Sequence, residues 1–384
     1  MRGLGSGVIV GHDGLILNNN HVVEKASKLS VVVGDMKSYP ARVIGTDPQT
    51  DLAVVRIDAA NLPAAELGDS ESVKVGQWVL AVGNPFQLMH TVTAGIISAK
   101  GRSSVGLADY EDFIQTDASI NPSNSGGALA DLDGRIIGIN TAITSPSGGN
   151  IGIGFAIPIN MAKRIMDELV AKGQVVRGYL GVSLQAIDDT TAQALKLKST
   201  DGALISDIVP GGPGDKAGIK RGDVIVAVNG LPVQNSSQAR NIVAEAAPGK
   251  AVTIGLLRNG QRIEKKVTLA ERPREGGGHT ARGERPGGAS HEKLGLAVQD
   301  LTPEIARQLG LQNETGAMVA EVVPGGPADD AGLESGDLIQ EVNQVPVRSA
   351  RDFERLVRDL RKGDAVAFLV KRNEGTLFLS LKVQ

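Results

Sequence analysis

Over the first 158 positions, apolar and β-branched residues come in short runs of strand length at 8–10, 15–17, 29–33, 52–57, 78–82, 91–98, 136–143 and 151–157. Turn formers separate them, among them His12-Asp13-Gly14, Gly34-Asp35 and the stretch from Asp131 to Gly134. Few helical periods interrupt this pattern, which predicts antiparallel sheets or barrels rather than βαβ units. The period changes near Asn160, a good N-cap residue. Met161, Ile165, Leu169 and Val170 then share one face and Gly173 stops the helix. That helix is expected to close a first domain over 1–175.

The remainder carries an internal repeat. Gly202-Ala-Leu-Ile-Ser-Asp-Ile-Val-Pro-Gly-Gly-Pro213 matches the segment from Gly316 to Pro327 at a constant offset of 114 positions, and Ala217-Gly218 and Gly222-Asp223 match Ala331-Gly332 and Gly336-Asp337 at the same offset. A fixed offset over a whole unit predicts two copies of one small module, at 177–271 and 294–384. Between them, 272–293 is rich in Gly, Arg, Glu and Pro and reads as a flexible linker. Its basic residues could touch a polyanion, but the glutamates among them fit a solvated tether better.

The 384 residues hold 49 glycines and only 3% aromatics, as many short strands on tight turns require. A formal charge of -3 argues against nucleic acid or an anionic membrane as partner. The absence of cysteine excludes thiol chemistry and disulfides. No apolar run is long enough to span a bilayer. The opening residues lack the apolar core of a signal peptide, which leaves a cytoplasmic protein or a trimmed exported one. Neither a phosphate-binding glycine loop nor a His-Glu-x-x-His spacing is present, so no cofactor or metal is expected.

The chemistry centres on Asn121-Pro-Ser-Asn-Ser125-Gly-Gly-Ala128. A nucleophilic serine needs an exposed hydroxyl on a tight turn with backbone N–H groups aimed at the carbonyl oxygen it attacks, and flanking glycines allow both. Alone, Ser-Gly-Gly is also an ordinary turn. Of the five histidines, His12 sits in a turn, His90 in a loop, and His279 and His291 in the linker. His21 follows the apolar run 15–17 and three asparagines, where an imidazole can be held in one orientation. Asp51 precedes the apolar run 52–57, where a carboxylate can be buried yet hydrogen-bonded. Each has a bland reading, a structural histidine or a turn residue, but together they follow the order His, Asp, Ser of chymotrypsin-type double barrels.

The segments Gly5-Ser-Gly-Val-Ile-Val10, Leu17-Asn-Asn-Asn-His-Val-Val23, Thr50-Asp-Leu-Ala-Val54, Gly83-Asn-Pro-Phe86, Asn124-Ser-Gly-Gly-Ala-Leu129 and Gly152-Ile-Gly-Phe-Ala-Ile-Pro158 closely resemble the HtrA/Deg serine proteases, with the DegP/DegQ-like two-PDZ layout. The resemblance implies a mainly β fold: a chymotrypsin-like double β-barrel protease domain followed by two small α+β PDZ domains. It implies an ATP-independent endopeptidase, possessing His21, Asp51 and Ser125 as catalytic triad, that degrades unfolded envelope proteins and can also protect them. The turn Ser123, Asn124, Ser125 would supply the oxyanion hole. Ile151, Gly152, Ile153, Gly154 and Phe155 would flank the specificity pocket, uncharged and so suited to small or aliphatic side chains. Arg102 matches the loop that couples PDZ occupancy to the active site. A periplasmic location and a homo-oligomer built from trimers are further implications. One departure stands out: the family commonly has glycine where this chain has Ser123, a position that should supply an oxyanion N–H.

Each repeat opens with an apolar-Gly-apolar loop, Tyr179-Leu180-Gly181-Val182 and Leu294-Gly295-Leu296. Successive N–H groups in such a loop can hold a peptide's C-terminal carboxylate while the next strand pairs with the peptide. Helices near 237–246 and 351–360 would form the other wall. The first copy is the better candidate for capturing substrate, and the second for assembly. Competing with the protease reading are a catalytically weak chaperone or scaffold and a regulatory protease with one signalling substrate.

Overall fold

The apolar run 52–57 has no polar alternation, and it becomes the centre of a five-stranded antiparallel sheet: Val8–Ile9, Leu15–Asn19, Leu52–Ile57, Lys37–Asp47, Leu29–Val33 in spatial order. Its successive side chains point to opposite faces, as a strand requires. Leu52 and Val54 enter one core with Leu17, Ile165 and Leu169, while Ala53, Val55 and Ile57 enter another with Ile16 and Val23. Lys37–Asp47 has no clear apolar run. Pro40 and a register shift between Val43 and Gly45 hide its alternation, although it pairs on both edges.

The computed structural model describes residues 4–34, 37–84, 91–121, 123–144, 149–272, 289–291, 293–373 and 375–384. It divides into one unit over Met1–Val176 and another over Arg177–Gln384. In the first unit, a closed six-stranded barrel follows the sheet, in the order Ile136–Ile143, Gly154–Pro158, Phe113–Thr116, Thr91–Arg102, Trp78–Gly83, Ala128–Ala130. Val79, Ala81, Ile97, Ile114, Leu129 and Ile137 fill it. The run 151–157 is a strand only from Gly154, because Gly152 takes φ +88° and its N–H turns to Asn150 Oδ1 at 2.8 Å. The closing helix is Ile159–Lys172. Asn160 lies inside it and is not the N-cap; its Nδ2 donates to Asp69 Oδ1 at 2.6 Å. Met161, Ile165 and Leu169 are buried, but Val170 is 44% exposed.

In the second unit the two modules are near copies in contact as well as in sequence. Asp223 in the first receives Arg258 through both oxygens at 2.6 and 2.7 Å, and Asp337 receives Arg372 at 2.7 and 2.7 Å. These pairs explain the Gly-Asp of each repeat: the aspartate is buried and survives there because a guanidinium fork meets it. Helices Ser236–Glu245 and Ala350–Val357 are capped by Asn235 and Ser349.

Of the predicted linker, 273–288 and 292 lie outside the described residues. Ala289–His291, at its end, is a strand, pairing antiparallel with Leu296–Asp300 so that His291 faces Leu296 and Ala289 faces Val298. The modules also share a core. Ile187, Ala192, Leu204 and Val224 of the first pack with Ala367, Leu369 and Phe378 of the second. Around it, Gln185 and Phe378 exchange hydrogen bonds at 2.6 and 3.0 Å, and Thr376 Oγ1 donates to Ser206 O at 2.6 Å.

Candidate active site

Strand Leu15–Asn19 runs straight into one helical turn, Asn20–Val23, that carries His21. Two asparagines fix this turn against the Asp51 loop: Asn19 Nδ2 and Asn20 N both donate to Asp51 O, at 2.9 and 3.1 Å. Asp51 itself holds a left-handed conformation, φ +59°, which swings its side chain back toward His21.

The Asp51 carboxylate accepts three hydrogen bonds. Oδ1 takes the His21 N–H at 2.9 Å, and Oδ2 takes His21 Nδ1 at 2.7 Å and Thr141 Oγ1 at 2.7 Å. Because Nδ1 carries the proton in this bond, Nε2 of the neutral ring keeps its lone pair for accepting another. The bond to Asp51 holds the His21 pKa above its ordinary value of 6.5, against a smaller opposing push from burial. Thr141 also reaches Ser125, whose Oγ donates to Thr141 O at 2.9 Å. Residues far apart in sequence therefore converge: His21 and Asp51 touch, and Ser125 joins them through Thr141.

The Ser125 turn is clamped by backbone bonds. Asn124 N donates to Asn121 O at 3.0 Å, Gly126 N to Asn140 O at 2.9 Å and Gly127 N to Asn124 O at 2.9 Å. Position 126 requires glycine, since a Cβ there would lie 2.2 Å from Ser6 O and 2.3 Å from Asn18 Oδ1. Of the three residues expected to form the oxyanion hole, Asn124 has its N–H committed. The N–H groups of Ser123 and Ser125 donate no hydrogen bond among the described residues. Ser123 sits at φ +76°, in the left-handed region where its Cβ is disfavoured.

The residues expected at the specificity pocket divide. Ile151, Gly152 and Ile153 precede the strand, and Gly154 lies at its start. Phe155 turns into the core, 5% exposed, its ring centroid 5.8 Å from that of Phe113. Arg102 ends strand Thr91–Arg102, and its Nε donates to Gln115 Oε1 at 2.8 Å. His90 lies outside the described residues, and His12 Nδ1 is 2.6 Å from Leu62 O.

In both modules the glycine of the opening loop is left-handed, φ +74° at Gly181 and +69° at Gly295. Leu180 O and Gly181 O accept from Gly214 N and Val209 N at 2.8 and 2.9 Å. Tying the carbonyls back leaves the N–H groups of Leu180 and Gly181 without a partner among the described residues, as an anion-binding loop needs. The adjoining strands differ. Val182–Gln185 is the edge of its sheet, whereas Leu296–Asp300 has Ala289–His291 on the corresponding side.

Thr141, Asn19 and Ser6, which contact these residues, were not singled out from the sequence. Thr141 reads as an ordinary strand residue in the run 136–143. The signal in the sequence is that Asn140 and Thr141 are the polar pair of an otherwise apolar run; the structure buries both.

An imidazole–carboxylate pair joined through Thr141 to a serine on a glycine-clamped turn, in a sheet-plus-barrel unit followed by two repeated α+β modules, is the make-up of a trypsin-like serine peptidase with PDZ domains. The trypsin-like peptidase domain model matches residues 5–139, and the PDZ domain model matches 178–269 and 293–383. The chain is 47% identical over 379 residues to a probable periplasmic serine endoprotease, DegP-like, of Chlamydia muridarum, spanning 98% of this chain and 74% of that one. It is 40% identical over 383 residues to the protein of the same name in Pseudomonas fulva, spanning all of this chain and 79% of that one. Among solved structures, the HtrA-type protease AlgW with tripeptide matches at 46% identity and a TM-score of 0.65, over 71% of this chain and 91% of that one. The chain belongs to the HtrA family of DegP-like serine endoproteases.

Proposed function

We propose that Ser125 is the nucleophile of this endoprotease, His21 its general base and Asp51 the group that orients the base. The observation that carries this reading is the 2.7 Å bond from His21 Nδ1 to Asp51, which leaves Nε2 as the basic nitrogen. In the reaction the Ser125 hydroxyl leaves Thr141 O, gives its proton to Nε2 and attacks the scissile carbonyl. Asp51 stabilises the imidazolium, and the N–H groups of Ser123 and Ser125 receive the oxyanion. His21 then returns the proton to the departing amine, and water releases the acyl group by the same route. The uncharged stretch 151–155 suits small or aliphatic side chains at the cleavage site.

The first PDZ domain is the receptor for C-terminal peptides in this reading, because its edge strand Val182–Gln185 is open to an added strand. The substrates are unfolded proteins of the cell envelope, the location the names of the relatives carry; the working form is a homo-oligomer based on trimers, as the family resemblance implies. Cleavage of a peptide and of casein by the wild type but not by Ser125→Ala, with fluorophosphonate labelling confined to the wild type, is the expected result. Equal cleavage by both proteins would refute it. A catalytically weak chaperone is the alternative, favoured by the strained Ser123 alone. It predicts suppression of aggregation undiminished in Ser125→Ala and no labelling of the wild type.

A further inference from the structure

Ser6 lies ahead of the first strand, 117 residues from the Ser125 turn's leading residue, yet it holds that turn at two points. Its hydroxyl donates to Ser123 O at 2.8 Å, and its backbone N–H donates to Ser125 O at 2.9 Å. The same hydroxyl oxygen accepts Asn84 N–H at 2.9 Å. With its one proton given to Ser123 O, the hydroxyl can only accept from Asn84 N–H, so the two bonds are compatible and together fix the side chain.

The consequence follows from the peptide planes. The unit joining Ser123 to Asn124 is tied at its carbonyl by Ser6 and at its N–H by Asn121 O at 3.0 Å. The unit joining Ser125 to Gly126 is tied at its carbonyl by Ser6 and at its N–H by Asn140 O at 2.9 Å. With both planes fixed, the turn's donors without a partner among the described residues are the N–H groups of Ser123 and Ser125. The packing leaves little slack, since a Cβ on Gly126 would fall 2.2 Å from Ser6 O and one on Gly127 would fall 3.2 Å from Ser6 Cβ. Ser123 needs such a restraint, because an L-residue at φ +76° tends to relax toward negative φ and would carry its N–H away with it.

We infer that Ser6 is a positioning residue for catalysis: its hydroxyl holds Ser123 in the left-handed conformation that keeps the oxyanion donors aimed at the reacting carbonyl. The inference rests on Ser125 being the nucleophile. It is tested in the full chain with Ser6→Ala, made in the native background and with Ser123→Gly, on a short chromogenic peptide, each rate referred to active sites counted by burst titration. Losing one hydrogen bond to the turn should lower kcat about tenfold with KM within about twofold. Where glycine adopts positive φ freely, the same change should lower kcat by less than about threefold. An unchanged kcat in Ser6→Ala, a loss carried by KM, or equal losses in the two backgrounds would overturn the role of Ser6 while leaving the protease assignment intact. Cleavage that survives Ser125→Ala would instead remove the assignment of the nucleophile, and the role of Ser6 with it.

Discussion

Replacing Ser123 with glycine perturbs one torsion and little else. The Ser123 side chain makes no hydrogen bond among the described residues, so no partner is lost with it. A left-handed L-residue costs about 1–2 kcal/mol relative to its preferred region, and glycine removes that cost. Glycine also loosens the unfolded chain, which offsets about 0.4–1 kcal/mol of the gain. The folded protein should therefore be stabilised by roughly 0–1.5 kcal/mol, which for a unit of this size raises its melting temperature by about 5 °C at most.

The effect on turnover is separate from stability. If strain at Ser123 withdraws its N–H from the oxyanion in a fraction of molecules, relief of about 1 kcal/mol raises kcat about fivefold. The ceiling is the roughly 10²–10³ that one oxyanion donor contributes. KM should stay within about twofold, because the donor acts on the transition state more than on the bound peptide. Ser123→Ala, which keeps the Cβ and drops only the hydroxyl, should match the wild type. Steady-state cleavage of a chromogenic peptide by the three proteins decides it. A Ser123→Gly kcat equal to or below that of the wild type would show that the serine at φ +76° costs nothing in the transition state.

The remaining predictions concern the base, its support and the paired modules. His21 must be neutral to accept a proton, and its pKa is raised by the Asp51 bond, so kcat/KM should fall as pH drops through a value above 6.5; a midpoint at or below 6.5 would contradict the bond's influence. Thr141→Val removes a donor to Asp51 Oδ2 but keeps the carbonyl that receives Ser125, and should lower kcat about tenfold with little change in KM, a result checked by the same peptide assay. Phe378→Ala opens a hole in the core shared by the two PDZ domains and should cost about 3–5 kcal/mol. Calorimetry of a fragment over 177–384 should then show one unfolding transition becoming two; two transitions already in the wild type would mean the shared core does not couple the modules, and a single one in both proteins would mean that Phe378 does not carry the coupling.

The residues identified from sequence were those whose chemical type limits what they can do. A histidine after a buried strand, an aspartate ahead of an apolar one and a serine ahead of two glycines each admit few roles, and their order narrows those further. Thr141 and Ser6 have types that fit almost anywhere in a β-rich chain. Their importance comes from closure of the fold, which brings Thr141 to Asp51 across 90 residues and Ser6 to Ser123 across 117. The polar pair Asn140-Thr141 marks an oddity in its apolar run, but no local pattern says which distant residue such a side chain will meet.

The packing of the two PDZ domains against each other is a different case, since the strands carry a signal for it that the linker's composition does not. A module whose sheet meets solvent on one face should alternate apolar and polar residues along its strands. Strand Ala365–Arg372 does not: Val366, Phe368 and Val370 enter the second module's own core, while Ala367 and Leu369 face the first module. The first copy mirrors this, with Ile205 and Ile225 inside and Leu204 and Val224 in the shared core. Strands apolar on both faces, in both copies, mean a second burial surface, and the simplest partner for such a surface is the other copy. A polar linker sets how far two modules could separate. Whether they do separate depends on the faces they present to each other, and here those faces are apolar.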